Sequence, residues 1–265
     1  MWSVLKEKIA QHVRADEQPY LSRAEDWIEQ VARNGRLYTT DFLDPRQTLL
    51  LESLVRGGSE VRALLWGGYE QAERRRAYLH PSFWPDQLDP NQGLRLLEVR
   101  LSARAVSALN HRDFLGSLLS LGVKREKMGD LLPEADRCQV VVAAEIADFL
   151  LLSWHQVGRF AVQVEEREME QLRPVETEWL EQAISVPSMR LDAVLAEGCH
   201  LSRRDASSLV RSQKVQVNWK VEDNPSCELH IGDNLSVKGF GRFRLLEGLG
   251  ESKKGRQRLK LGKLK

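Results

Sequence analysis

Between Leu201 and Val221, in LSRRDASSLVRSQKVQVNWKV, the chain changes period. Ala206, Leu209 and Val210 recur at helical spacing; Val215, Val217, Trp219 and Val221 then alternate with Lys214, Gln216, Asn218 and Lys220. A helix running straight into a strand commits this region to a small α+β layer, because each element must bury its one apolar face against the other. Upstream, PSMRLDAVLAEGCH predicts another helix, with Ser188 as its cap, Leu191, Val194 and Leu195 as its stripe and Gly198 as its end. Ser202, with an acid three positions on at Asp205, fits a capping box. EDNPS reads as a turn, and IGDNLSVKGFGRFRLL as further strand in which Gly239 and Gly241 mark a bulge or tight bend. Residues 188–265 therefore predict two helices on a short twisted sheet.

The polar faces of this module are basic. Arg203, Ser207 and Arg211 lie at i, i+4 and i+8, with Arg204 and Ser208 beside them, and Arg190 and Lys214 extend the patch. Residues 181–265 hold 16 Lys+Arg against 10 Asp+Glu, a net of +6; the remainder is net −5, and the whole chain only +1. A basic end on an acidic body points to a localised polyanion contact. Hydroxyls among the cations donate to phosphate oxygens, and arginine forks across them. A merely solvated helix face is the competing reading.

The first 75 residues read as helical. VLKEKIAQHV puts Val4, Leu5, Ile9 and Val13 near one face; AEDWIEQVAR repeats the pattern with Trp27, Ile28 and Val31 and stops at Gly35. TDFLDPRQTLLLESLVRGG predicts a helix capped by Asp44, with Pro45 in its first turn and Gly57-Gly58 at its end. Residues 76–166 run strand, helix, strand pair, helix, strand, which predicts a ferredoxin-like (RRM-like) α/β sandwich. Residues 167–187 read as a connector with one helix around Trp179. The class is α+β.

In the middle of the chain, VKREK presents Lys124, Arg125 and Lys127 after a helix expected to bury Phe114, Leu115, Leu118, Leu119 and Leu121. This is a second cationic cluster, for RNA or for compensating the helix dipole. WGGYEQAERRRA has two glycines ahead of an expected helix and can form an anion nest, but lacks the ending of a nucleotide P-loop. Tyr69 with Arg74, Arg75 and Arg76 fits stacking on RNA, or a place in the core.

Cys138, Cys199 and Cys227 have no disulfide spacing, and Cys199-His200 with Cys227-x-x-His230 lacks the tight knuckles of a zinc site. Buried thiols and surface histidines are expected, with no metal. No apolar run approaches the roughly 18–20 residues that span a bilayer, and the charged N-terminus is no signal peptide, so a cytoplasmic protein with no membrane contact is expected. His111-Arg112-Asp113 is the one trio that looks reactive, yet adjacent helical residues point apart and no nucleophile accompanies them.

MRLDAVLAEGCHLSRRDASSLVRSQKVQVN resembles the RNA-binding domain named after small-subunit ribosomal protein four. The resemblance rests on the Arg-Leu-Asp opening, Leu195, Ser202-Arg203, Ala206, Lys214-Val215-x-Val217-Asn218, and downstream Gly232-Asp233 and GFGRF. That family usually has glycine where this chain has Gln213, so this turn is expected to differ. TDFLDPRQ, WGGYEQAERRRA and LNHRDFLGSLLSLGVKREKMGDLL resemble the bacterial YlmH family essentially end to end. The resemblance implies a monomeric, non-catalytic binder of ribosomal RNA and tRNA on the large ribosomal subunit, acting in rescue or quality control of stalled chains, without cofactor or small-molecule substrate. The implied contacts are Arg190, Ser202, Arg203, Arg204, Ser207, Arg211, Lys214, Asn218, Lys238 and Arg242, joined by Lys124, Arg125 and Lys127. The alternatives are a ribosomal-RNA-modifying enzyme of pseudouridine synthase or methyltransferase type that docks through this domain, and a relative from photosynthetic lineages.

Overall fold

The computed structural model describes residues 15–56, 60–84, 88–102, 108–134, 136–174, 178–252 and 255–264. The amphipathic stretch around Val4 to Val13 and the Gly57-Gly58 stop lie outside them. The chain divides into two compact units, Met1–Val175 and Glu176–Lys265.

In the first unit, α1 (Gln18–Asn34) buries Tyr20, Leu21, Ala24, Ile28 and Val31, and Gly35 closes it in a left-handed conformation (φ 62°), donating to the Val31 carbonyl. β1 (Tyr38–Leu43) leads to α2 (Pro45–Arg56). Asp44 and Gln47 exchange backbone-to-side-chain bonds of 2.8 and 2.9 Å at its start. β2 (Val61–Trp66) and β3 (Arg75–Pro81) complete an antiparallel sheet of order β1-β3-β2, packed on both helices. The all-helical expectation for residues 1–75 therefore missed two strands, β1 and β2, and the first residue of β3. The boundary expected at residue 76 cuts into β3, the middle strand, and residues 67–74 form a loop rather than a helix start. β3 hides because its arginines are polar letters in a strand that is almost wholly buried.

The second half of this unit is the expected sandwich. β4 (Leu94–Arg100), α3 (His111–Ser120), β5 (Met128–Pro133), β6 (Arg137–Ala143), α4 (Ala144–Ser153) and β9 (Gln163–Arg167) give an antiparallel sheet of order β5-β6-β4-β9. A two-stranded hairpin, β7 (Gln156–Val157) and β8 (Phe160–Ala161), lies between α4 and β9. Leu97, Val99, Val140 and Val142 meet Phe114, Leu118, Ala147 and Leu150 on the helical side. Leu119, expected inside, is 45% exposed.

The second unit begins earlier than expected. Trp179–Val186, read as part of a connector with a helix, is strand β10 and pairs along its whole length with β15 (Gln257–Leu264). Then follow α5 (Leu191–Gly198), α6 (Arg203–Arg211), β11 (Val215–Val217), β12 (Lys220–Val221), β13 (Asn234–Val237) and β14 (Gly241–Glu251). The sheet order is β10-β15-β14-β13-β11-β12, with both helices over one face. Ser188 does not cap α5. Its N-cap is Arg190, and the first-turn N–H groups of Leu191 and Asp192 donate to the Cys227 and Pro225 carbonyls. A returning loop thus does what a capping hydroxyl would do.

The predicted single strand 214–221 is a hairpin. Gln216 pairs with Val221 and Val217 with Lys220, so Asn218 and Trp219 form the two-residue turn, with φ of 48° and 63°. Trp219 is half-buried at a turn and not a core residue. Such turns favour Asn-Gly, and an L-residue with positive φ costs about 1–2 kcal/mol. Trp219→Gly should therefore hold the melting temperature or raise it slightly. A loss of about 3–5 kcal/mol, the cost of emptying a core tryptophan site, would mean the indole packs where the hairpin says it does not.

Candidate nucleic-acid interface

Ser202 caps α6, accepting from Asp205 N at 3.1 Å, and its hydroxyl donates to the Asp205 carboxylate at 2.6 Å. The cap expected from the sequence is present, but the Ser202 hydroxyl is spent on it. Arg203 and Arg204 follow directly, at the positive end of the helix dipole, where cations are electrostatically disfavoured. Asp192, 3% exposed on α5, compensates. Its carboxylate accepts from Arg190 at 3.0 and 3.1 Å, from Arg203 at 3.2 Å and from Ser207 at 3.4 Å. Burial pushes the Asp192 carboxyl upward, but the bonds and charges of the two arginines outweigh it and hold it below the ordinary carboxylate range. Arg190 and Arg203 stay 42% and 48% exposed, so each can grip the aspartate and still face solvent.

Arg204, Arg211, Lys214 and Lys238 are all exposed. Among the described residues none makes an ion pair. Lys238 N donates to the Lys214 carbonyl at 2.9 Å, which seats Lys238 beside Lys214 at the exit of α6. Gln213 precedes Lys214 with φ 57°, so it keeps the left-handed backbone that a glycine would favour, and the expected departure of this turn is confined to the side chain. The free cations therefore gather along α6 and its exit.

Several expected contact residues are engaged elsewhere. Asn218 uses both ends of its amide in closing the hairpin: Nδ2 donates to Asp233 at 2.8 Å, and Oδ1 accepts from Asn234 N at 2.9 Å. Ser207 points to Asp192. The second cluster disperses. Lys127 is held by Asp41 at 2.6 Å and Glu145 at 2.9 Å. Arg125 donates to the Met128 and Gly129 carbonyls, and burial beside Arg74 lowers it to about 10. Only Lys124 of the three is left exposed.

The loop after β2 also faces inward. Tyr69 and the N–H groups of Glu73 and Arg74 all donate to Asp130, at 2.8, 2.7 and 3.1 Å. The anion the loop binds is thus the protein's own carboxylate. Arg74 donates to the Phe42 and Met128 carbonyls, Arg75 to those of Ala72 and Glu70, and Arg76 to those of Thr40 and Gly93. Arg74, Arg76 and the bonds to Asp130 tie the β1–β3 sheet to the sandwich, while Arg75 braces its own loop.

Their consequence is that the sandwich sheet is closed on its second face. RRM-type domains stack bases there on aromatics. Here Phe42, Trp66, Met169 and Leu172 cover Leu94, Leu96, Val141 and Ala143. Next to them Glu98 is buried, bonded to Arg167 at 3.1 Å and to Gln139 at 3.1 Å.

Asp113 caps α3 in a box with Asn110, which removes it from any trio with His111 and Arg112. Among the described residues no group of three or more His, Cys, Asp or Glu gathers to hold a metal, and no helix is long and apolar enough to cross a membrane.

Residues 16–82 match the model of the YlmH N-terminal region, 89–171 that of a putative RNA-binding domain in YlmH, and 189–235 that of the S4 domain. A ribosome-associated protein quality control protein P2 from Bacillus subtilis is 38% identical over 95% of this chain and 96% of its own length. The chain belongs to the YlmH family. The fold of a cell division protein ylmH from Streptococcus pneumoniae overlaps 61% of this chain and 98% of its own, with a TM-score of 0.53 at 22% identity. The S4 match covers α5, α6 and the hairpin, and so includes Arg204, Arg211 and Lys214, and the matched domains support an RNA-binding role for the chain.

Asp192, which holds Arg190 and Arg203 in place, entered the sequence reading only as part of the Arg-Leu-Asp opening and was given no role there. An acid between Leu191 and Ala193 in a strongly apolar helix, with Arg190 beside it and Arg203 eleven residues on, was the available signal.

Proposed function

We propose that this protein is a non-catalytic binder of structured RNA that docks on the large ribosomal subunit, against ribosomal RNA and tRNA, and acts in quality control of stalled nascent chains. The observation that carries the reading is the cluster of Arg204, Arg211, Lys214 and Lys238, exposed and without ion pairs among the described residues, beside Arg190 and Arg203 set by Asp192. Cations left unneutralised on one face suit a phosphate backbone. The name of the Bacillus subtilis relative, a ribosome-associated protein quality control protein, supports the choice of ribosomal RNA. The non-catalytic reading is supported by Asp113, which is committed to capping.

The test is sedimentation with purified ribosomal subunits. The protein should travel with the large subunit at moderate salt, and Arg204→Ala/Arg211→Ala/Lys214→Ala should leave it in the supernatant. Equal sedimentation of parent and variant would remove the cluster from the docking surface, and binding to the small subunit alone would overturn the large-subunit assignment.

A further inference from the structure

α5 ends with a side chain where glycine is the usual residue. After the C-cap Cys199, His200 takes a left-handed backbone with φ 54°. The Leu201 N–H then donates back to the Ala196 carbonyl at 2.8 Å, and that of His200 to the Glu197 carbonyl at 3.4 Å. In this Schellman arrangement the left-handed position is most often glycine, because a β-carbon there crowds the backbone. His200 is exposed, so core packing does not account for it.

What His200 does border is a cavity of about 430 Å3, inside the range of about 300–1,000 Å3 usual for small-ligand sites. Pro187, Ala193, Ala196 and Leu201 give it apolar walls, and Glu197, Arg203 and Arg256 join His200 as its polar groups. Two of these are locked together. Arg256, just before β15, donates to the Ser185 hydroxyl at 3.1 Å, to the Ser185 carbonyl, and to Glu197 Oε1 at 3.0 Å. Glu197 Oε2 has no partner among the described residues. On the other side, Arg203 is held by Asp192 at 3.2 Å and opens the helix that carries Arg204 and Arg211.

We infer that this cavity receives one unpaired guanine of the bound RNA, with its phosphate on Arg203, its ring stacked on His200 and its Watson–Crick edge on Glu197. Histidine is among the side chains on which unstacked bases rest, and apolar walls suit the flat faces of a base. A carboxylate only accepts hydrogen bonds, and guanine alone of the four bases offers two neighbouring donors, N1–H and N2–H, on that edge. The source is RNA rather than a free nucleotide because the cavity opens beside the cations of α6, where the rest of a backbone can run. The arginines and lysines of α6 meet phosphates and so carry no sequence information; a base in this cavity supplies it.

The inference rests on the RNA-binding reading above, and the experiment separates them. The full chain is titrated by fluorescence anisotropy with a labelled RNA hairpin bulged by a single guanosine, the same hairpin bulged by uridine, and the hairpin without a bulge. The parent should bind the guanosine bulge roughly tenfold more tightly than either of the others. His200→Gly, which suits the left-handed position, should melt at the parent's temperature or slightly above it. It should nevertheless lose most of the preference, while binding the unbulged hairpin like the parent. Glu197→Gln should bring the guanosine and uridine bulges within about threefold of each other. A parent that binds all three hairpins alike, or prefers uridine, overturns the inference and leaves the proposed function standing. So does a His200→Gly chain that keeps the full preference, and so does guanosine monophosphate competing as strongly as the guanosine-bulged hairpin. A parent that binds none of the RNAs overturns both.

Discussion

Replacing Arg190 and Arg203 together by alanine should destabilise the C-terminal unit at neutral pH more than replacing Asp192 does, and the loss should shrink as the pH falls. The reason is the asymmetry of the partners. Asp192 is 3% exposed and the arginines about half. Removing the arginines strands a carboxylate inside α5 with only the weak bond from Ser207 at 3.4 Å; removing the aspartate lets both arginines return to water. Asp192→Asn, which keeps the shape, should therefore cost less, about 1–2 kcal/mol. The two variants also differ in pH dependence. In the native chain the Asp192 carboxyl sits below its ordinary value despite burial, because the arginines outweigh burial. Its contribution is thus present at neutral pH and is lost as the pH drops below about 4, through the depressed folded value. Without the arginines burial outweighs the weak Ser207 bond, the folded carboxyl moves above the unfolded one, and protonation then favours the fold. Hydrogen exchange in α5 and α6 between pH 4 and 7 reads this directly. The double variant should gain local protection on acidification while the parent does not. A double variant that follows the parent would mean Asp192 is not the anchor of this pair.

The legible parts of this chain were the local ones. The α6 stripe of Ala206 and Val210, the Ser202 cap and the ferredoxin-like order of β4 to β9 each follow from residues within a turn or a strand of one another. Two kinds of feature were not legible. The alternation from Val215 to Val221 continues unbroken across the Asn218-Trp219 turn, and no glycine marks the reversal, so period alone gave the wrong face for Trp219. The cation clusters failed for a different reason. Lys124, Arg125 and Lys127 look alike in sequence, but Lys127 meets Asp41 from 86 residues away, and Arg74 beside Arg125 reaches Phe42 across 32. Which cations remain free is decided by partners that only the tertiary fold supplies. The same holds for Asp192 and Arg203, eleven residues apart yet bonded.

That distinction between free and engaged cations predicts the largest functional effect. Each phosphate neutralised contributes about −0.9 to the slope of log affinity against log salt for a duplex. Arg204, Arg211 and Lys214 are exposed, without ion pairs among the described residues, and clustered on α6 and its exit. Alanine at all three should flatten the slope for structured RNA by nearly three units, and at low salt should weaken binding by about a hundredfold or more. Stability should hardly move, since none of the three supports a buried partner. Lys127→Ala is the matched control: its ammonium, pushed up by the bonds it donates to Asp41 and Glu145, already has its counter-charges within the chain. It should leave the salt slope where it was while lowering the melting temperature slightly. If Lys127→Ala flattens the slope as much per residue as the triple variant does, then counter-charge within the fold does not decide which cations meet RNA, and the helix-face interface loses its basis.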